Sequence, residues 1–317
     1  MAHQFARGGD HVTTTLPSDQ RSTHGHPVAV LGRLEARRFL TSIPLWCGAA
    51  LTVLLWATTD PRKESWVGAT WSEFVGIAPT FMCIGAFVAA SLIGMRDQFN
   101  DSTPVTGAAP VSSGDRVLAR LLGGTVPVLV VTILAAAVVV YIHWIGGVVV
   151  GNVLHTPAVA DVVMIPVLAA LAVTSGIAAG QLVRSRPVVT IGGSIVIFFT
   201  SVMSWVFDGG RTDLTPAVPY QPAEVSLGVS FDPSTAPSGW IISPPDQDAN
   251  VWRRASFEPA ALWFHSLYVL GLALLFAALA RRAHGPSRAG MTLTILGTVA
   301  ALTGGVMQFV VRTGTYV

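Results

Sequence analysis

The sequence has a single lysine, Lys63, against eighteen arginines, and that shortage removes whole classes of function. A phosphate-binding P-loop needs a glycine-rich turn followed by Lys-Ser/Thr. Lys63 is followed by Glu64, with no glycine run before it, so the chain carries no Walker-type ATP site. A retinal Schiff base needs a lysine within a membrane helix, and Lys63 lies between apolar stretches. Cysteine is equally scarce. Cys47 and Cys83 both fall inside apolar stretches and read as packing residues rather than a disulfide or a metal pair. Charge is the third shortage: 11% of residues are charged, where a soluble domain carries about a quarter. With 317 residues, 51% of them hydrophobic, and a mean hydropathy of +0.59, this is a polytopic membrane protein. The net charge of +2, with no basic patch interleaved with aromatics, excludes a nucleic-acid partner.

Catalytic patterns are missing too. There is no HExxH zinc motif, no GxSxG nucleophile elbow and no carboxylate pair within an apolar stretch. The chain reads as no enzyme and as holding no cofactor or metal. Ionisable groups at membrane depth, which ion-driven transporters use as carriers and relays, are nearly absent. Asp161 lies at a boundary, His143 near an outer end, and His265 just inside the sixth stretch, where it reads as an interfacial hydrogen-bonder. The serines of the apolar stretches, among them Ser91, Ser175, Ser194 and Ser201, read as interhelical hydrogen-bonders.

What is present is a succession of seven apolar segments, near 39–58, 74–95, 117–142, 162–183, 188–207, 262–280 and 291–311. Each is close to the ~20 residues that cross ~30 Å of hydrocarbon. In lipid the backbone must bond to itself, so these are predicted helices. Before them, residues 1–27 are polar and hold His3, His11, His24 and His26 at irregular spacing, the pattern of a disordered tail rather than a metal site. Residues 28–38 are weakly amphipathic, with Val30, Leu31 and Leu34 on one side and Arg33 and Arg37 on another. This stretch is expected to lie along the membrane surface.

Arginine placement sets the orientation. With the N-terminus inside, the inner segments hold thirteen basic residues and the outer ones six, and the tight pairs Arg184/Arg186 and Arg281/Arg282 both fall inside. The connection between the second and third apolar segments, RDQFNDSTPVTGAAPVSSGDRVLAR over residues 96–120, is then the longest internal inner loop. Pro104 and Pro110 break the chain there. Ser112 with Asp115 fits the S-x-x-D capping box, in which hydroxyl and carboxylate satisfy the free amides that open a helix, and Asp115 suits the helix's positive end.

Gly176 and Gly180 form a GxxxG pair in the fourth segment. Small residues let helix backbones approach, either within one subunit or at a dimer face. The largest outer segment, 208–259, is rich in proline, glycine and acidic groups and includes Trp240, Ile241, Ile242 and Trp252. It reads as a small cap or hairpin at the outer leaflet, or as a solvated loop.

A multispan chain with neither an internal ATPase nor internal ion coupling fits the membrane half of a machine powered elsewhere. Two runs point further: the entry RLEARRFLTS (33–42) and AAPVSSGDRVLARLL (108–122). In these runs and in the order of its features the chain resembles the ABC-2 type permeases, the membrane subunits of ATP-binding cassette exporters. The resemblance implies an all-α membrane domain with a six-helix core, here with a seventh membrane helix added, and a cytoplasmic N-terminus. It also implies a coupling helix in the loop between the second and third spans, and often an extracellular helical element before the last core span. The implied partners are a cytoplasmic ATPase subunit that holds ATP and magnesium, a second permease copy or sister, and membrane lipids. Asp97, Phe99 and Asp101 are the first choice for the ATPase contact, Phe99 as an aromatic anchor amid orienting charges, with Arg96, Asp115 and Arg116 second. Charge-poor spans favour an amphiphilic or lipid-like cargo over a polar ion. A non-transporting assembly or sensor protein, and a secondary transporter, are the alternatives.

Overall fold

The computed structural model describes residues 27–63, 69–96, 112–150, 153–207, 217–220, 225–228, 241–243, 253–256, 259–283 and 285–314. The helices run in chain order as α1 (Pro27–Leu40), α2 (Ile43–Thr58), α3 (Ala69–Ser72), α4 (Ala78–Gly94), α5 (Ser113–Gly123), α6 (Thr125–Trp144), α7 (Val159–Leu182), α8 (Gly193–Phe207), α9 (Pro259–Arg282) and α10 (Arg288–Gly314). Wide π-helical turns, Glu73–Ile77 and Val188–Gly192, lead into α4 and α8.

All seven predicted apolar segments contain helix, and most reach the length of a span. Five helices among the described residues are long and apolar enough to cross a membrane: Glu73–Gly94, Ser113–Trp144, Val159–Leu182, Ala260–Arg282 and Arg288–Val311. The first segment reaches that length only as the pair α1 and α2, bent by 50°. The bend lies where Ser42 adopts extended backbone and Pro44 enters the first turn of α2, since proline suits a helix start and not its interior. The fifth segment is helical from Val188 to Phe207, its π-helical first turn running on into α8.

The core is built by α4 and α7, running side by side, with α2, α6, α8 and α9 around them and α10 packed along α9. Glycines set the closest approaches. A Cβ on Gly176 would lie 2.6 Å from the Phe87 carbonyl and one on Gly94 2.7 Å from that of Ile177, while Gly180 sits against the backbone of Ser91. The GxxxG pair thus joins α7 to α4 within one chain. Gly48 of α2 and Gly85 of α4 face each other in the same way.

The serines are a correction. Ser91, Ser175, Ser194 and Ser201 donate to carbonyls of their own helices, three or four residues back, as helical serines in apolar surroundings do. The interhelical bonds come from other residues. Between α2 and the α4 arm, Thr52 donates to Ala78 O at 2.6 Å and Trp56 to Phe74 O at 3.0 Å. Between α9 and α10, His265 Nδ1 lies 2.9 Å from Gln308 Oε1. His265 is fully buried near the end of its helix, where it ties α9 to α10.

The all-α expectation also needs correction. At the end of the bundle where α6 finishes and α7 begins, β1 (Val148–Val150) pairs antiparallel with β2 (Val153–His155). Gly146 and Gly147, both at positive φ, turn the chain out of α6 into this hairpin, and three successive β-branched valines favour the extended form. Within 208–259, the described residues hold β3 (Val225–Gly228), β4 (Ile241–Ser243) and β5 (Arg253–Ser256) in the order β3-β5-β4, all antiparallel. Most of 208–259, where the family resemblance implied a helical element, lies outside the described residues. Residues 1–26, expected to form a disordered tail, and Trp240 and Trp252 lie outside the described residues.

Candidate functional site

The expected handle, residues 96–120, is described at its two ends. Arg96 follows Met95, the C-cap of α4, and the chain is described again from Ser112. Asp97, Phe99 and Asp101 lie outside the described residues.

At the second end the N-cap half of the predicted box forms, with a hydroxyl–carboxylate bond in place of the reciprocal amide contact. Ser112, in extended backbone, accepts the Asp115 amide at 3.1 Å through its Oγ and donates to Asp115 Oδ2 at 2.8 Å. This satisfies an amide that would otherwise be unpaired at the start of α5 and places a carboxylate at the positive end of the helix dipole. The α5 sequence SGDRVLARLLG then segregates, with Val117, Ala119, Arg120 and Gly123 buried and Leu122 exposed.

What α5 buries itself against is α1. The two lie close because glycines meet them on both sides. Gly123 sits against Glu35 and Ala36, and a Cβ on Gly32 would touch Leu122. The face of α1 that packs in the protein is Val28, Gly32, Glu35 and Phe39, while Val30 and Leu34 are left exposed. This leaves an exposed apolar edge beside Arg33 and Arg37. Glu35 is buried yet ion-paired with Arg38 of its own helix, and Arg120 is buried on the facing helix. From a third direction comes Arg281 of α9, whose guanidinium would lie 3.9 Å from a Cβ on Gly114. Arg116 sits one turn into α5 with its Nε shielded from solvent.

Of the predicted residues, therefore, Asp115 and Arg116 stand on the first turn of α5, and Arg96 just after the C-cap of α4. Gly176 and Gly180 lie in the core, one helix away from this layer. Arg281 is a contributor that sequence reading placed only as an orientation signal.

A second arrangement was not anticipated. The segment Ala217–Tyr220 belongs to the long 208–259 connection, yet it enters the bundle. Tyr220 is 8% exposed and belongs to the main core cluster. Its hydroxyl faces Ser175 and Cys83 and closes no hydrogen bond of good geometry there. Cys83 stands halfway along its span and Ser175 two-thirds along its own. The insertion is tied by Tyr268 of α9, whose hydroxyl donates to Ala217 O at 2.9 Å. Non-helical backbone at such depth is tolerated where protein surrounds it, and α4, α7 and α9 do so here.

At the strand-bearing end, Val149 N donates to Pro61 O at 2.9 Å, and the Trp71 and His155 rings meet edge-on at 4.5 Å. Burial against this contact lowers the His155 pKa below its ordinary 6.5. Asp161, 3% exposed, accepts the Ala158 amide at 2.8 Å, a helix-capping role. Among the described residues no group of three or more His, Cys, Asp or Glu could hold a metal, and Cys47 and Cys83 are free thiols.

No family model, curated protein or solved structure matches the chain. The functional reading rests on the residues and their geometry.

Proposed function

We propose that this chain is the permease subunit of an ATP-binding cassette exporter, moved by a separate cytoplasmic ATPase that docks on residues 96–116. The observation that carries the reading is the seat of α5. Its capped first turn lies beside Arg281 of α9, its buried face rests on α1, and its other end runs on into α6. A displacement applied to the connection between α4 and α5 is therefore shared at once by the first, third and sixth apolar segments. Such a lever is what a protein without its own phosphate-binding loop requires if hydrolysis elsewhere is to move its helices.

In this reading the arginine-rich end is cytoplasmic. ATP and magnesium sit on the ATPase, and two permease copies or sister subunits enclose the path. Phe99 supplies the apolar anchor, with Asp97 and Asp101 orienting it; Arg96, Asp115 and Arg116 flank the contact. The charge-poor spans suit an amphiphilic, lipid-like or drug-like cargo. The test is co-purification with the ATPase, comparing wild type with Phe99→Ala combined with Asp101→Ala. Unchanged complex yield together with an unchanged stimulated ATPase rate would rule the assignment out.

One observation favours a different reading. The His265–Gln308 pair, buried between the ends of α9 and α10, is an ionisable contact of the kind a proton-driven transporter uses. That reading expects cargo movement to stop with an uncoupler and to survive loss of the ATPase.

A further inference from the structure

The turn joining α9 to α10 gathers positive charge with little to balance it. Arg281 and Arg282 close α9 and Arg288 opens α10. Arg282, Pro286, Ser287, Arg288 and Met291 line a cavity of about 260 Å³. An arginine in the first turn works against the helix dipole, and the first turn of α10 holds no acidic residue. Among the described residues none of these three arginines forms an ion pair, and Glu35, one of the two described carboxylates at this end, is paired with Arg38. The other, Asp115, is held in its capping box.

The cavity opens onto an apolar track. Met291, Ile295, Val299, Leu302, Val306 and Val310 recur every three or four residues along α10 and are all exposed. The opposite face, with Gly297, Gly304 and Gln308, is pressed against α9. A basic hollow thus sits where a span begins, and a greasy stripe leads from it along the span. A ligand that satisfies both halves has a negative head and hydrocarbon tails. Basic pockets between membrane helices take up phospholipid headgroups by the same charge complementarity.

We propose that the α9–α10 turn binds the phosphate of an anionic phospholipid, with Arg282 and Arg288 as its ligands and the acyl chains lying along α10. The inference needs the chain to span a membrane and does not depend on the transport reading. It has a mechanical corollary, because Arg281, beside this turn, lies next to Gly114 in the first turn of α5.

The test uses the purified full chain in detergent micelles, titrated separately with dioleoyl phosphatidylglycerol, dioleoyl phosphatidylcholine and inorganic phosphate. Bound lipid is counted by native mass spectrometry and melting temperature is followed in parallel. Phosphatidylglycerol is expected to bind and raise the melting temperature, while the other two do neither at matched concentration. With each arginine near the surface contributing the usual phosphate attraction, R282Q/R288Q is expected to weaken phosphatidylglycerol binding about thirty-fold. R282K/R288K, which keeps the charge, retains most of it, and R33Q/R184Q, which removes two arginines elsewhere at the same end, leaves it unchanged. Equal phosphatidylglycerol binding by R282Q/R288Q and wild type would overturn the proposal. So would equal stabilisation by phosphatidylcholine, or by inorganic phosphate, which would make the pocket a free-anion site.

Discussion

Ser112 and Asp115 satisfy each other: the serine oxygen takes the aspartate amide at 3.1 Å while its hydroxyl donates to the aspartate carboxylate at 2.8 Å. Everything between α4 and α6 that is described in this chain starts from that cap. Ser112→Ala should cost about 1 kcal/mol of stability, the usual worth of an N-cap, read as a lower unfolding midpoint in detergent. Ser112→Asp, which can also cap, should recover most of it. A midpoint unchanged by Ser112→Ala would mean that the cap does not secure α5.

The glycine contacts separate close packing from mere smallness. Gly180→Ala drives a methyl into the Ser91 backbone and should destabilise by roughly 1–3 kcal/mol, the cost of overpacking. Nothing lies within 4 Å of a Cβ on Gly192, so Gly192→Ala should be neutral or stabilise by up to about 1 kcal/mol. Because Gly180 faces α4 of its own chain, its substitution should leave the oligomeric state by size exclusion unaltered. A selective loss of dimer would place this face between subunits instead.

Tyr220 shields Cys83, which is 1% exposed. In a Cys47→Ser background, Tyr220→Ala should open the space above the thiol and raise its labelling by N-ethylmaleimide several-fold, whereas Tyr220→Phe should not. Equal labelling of all three proteins would show that the 217–220 segment does not seal this part of the core.

The His155 contact predicts a pH dependence with a definite sign. Burial lowers its pKa in the folded state, so the unfolded chain binds the proton more readily. The penalty is absent above the unfolded value near 6.5, grows as pH falls through it, and levels off below the folded pKa. Melting temperature should therefore drop on acidification from pH 7.5 toward 5, and His155→Gln should flatten that part of the profile. A His155→Gln slope identical to wild type would remove His155 as the cause.

Local signals were legible in the sequence, and long-range ones were not. The apolar segments could be read because the bilayer fixes their length and composition, and the Ser112–Asp115 box because its two partners are three residues apart. The GxxxG spacing marked Gly176 and Gly180 as packing residues, but nothing in it says which helix they meet. Gly48 and Gly85 were invisible for the same reason, being single glycines on two helices that meet only in the fold. The π-helical turns carry no simple periodicity. Tyr220 sits in the short proline-broken run TPAVPYQP, too short to signal a buried element, and meets Cys83 and Ser175 only in the fold. The serines misled because a hydroxyl in an apolar helix has a nearer acceptor, its own backbone, than any on a neighbouring helix.

Force applied from the cytosol between the second and third apolar segments is the central claim, and reconstitution tests it most directly. The chain is placed in liposomes with a fluorescent amphiphile, with and without the ATP-binding cassette ATPase of its own cell, and flux is followed on adding ATP and magnesium. Flux should appear only with both proteins and nucleotide present, and Phe99→Ala combined with Asp101→Ala should abolish it while leaving the melting temperature unchanged. Sustained flux from the chain alone, or flux indifferent to that double substitution, would contradict the account.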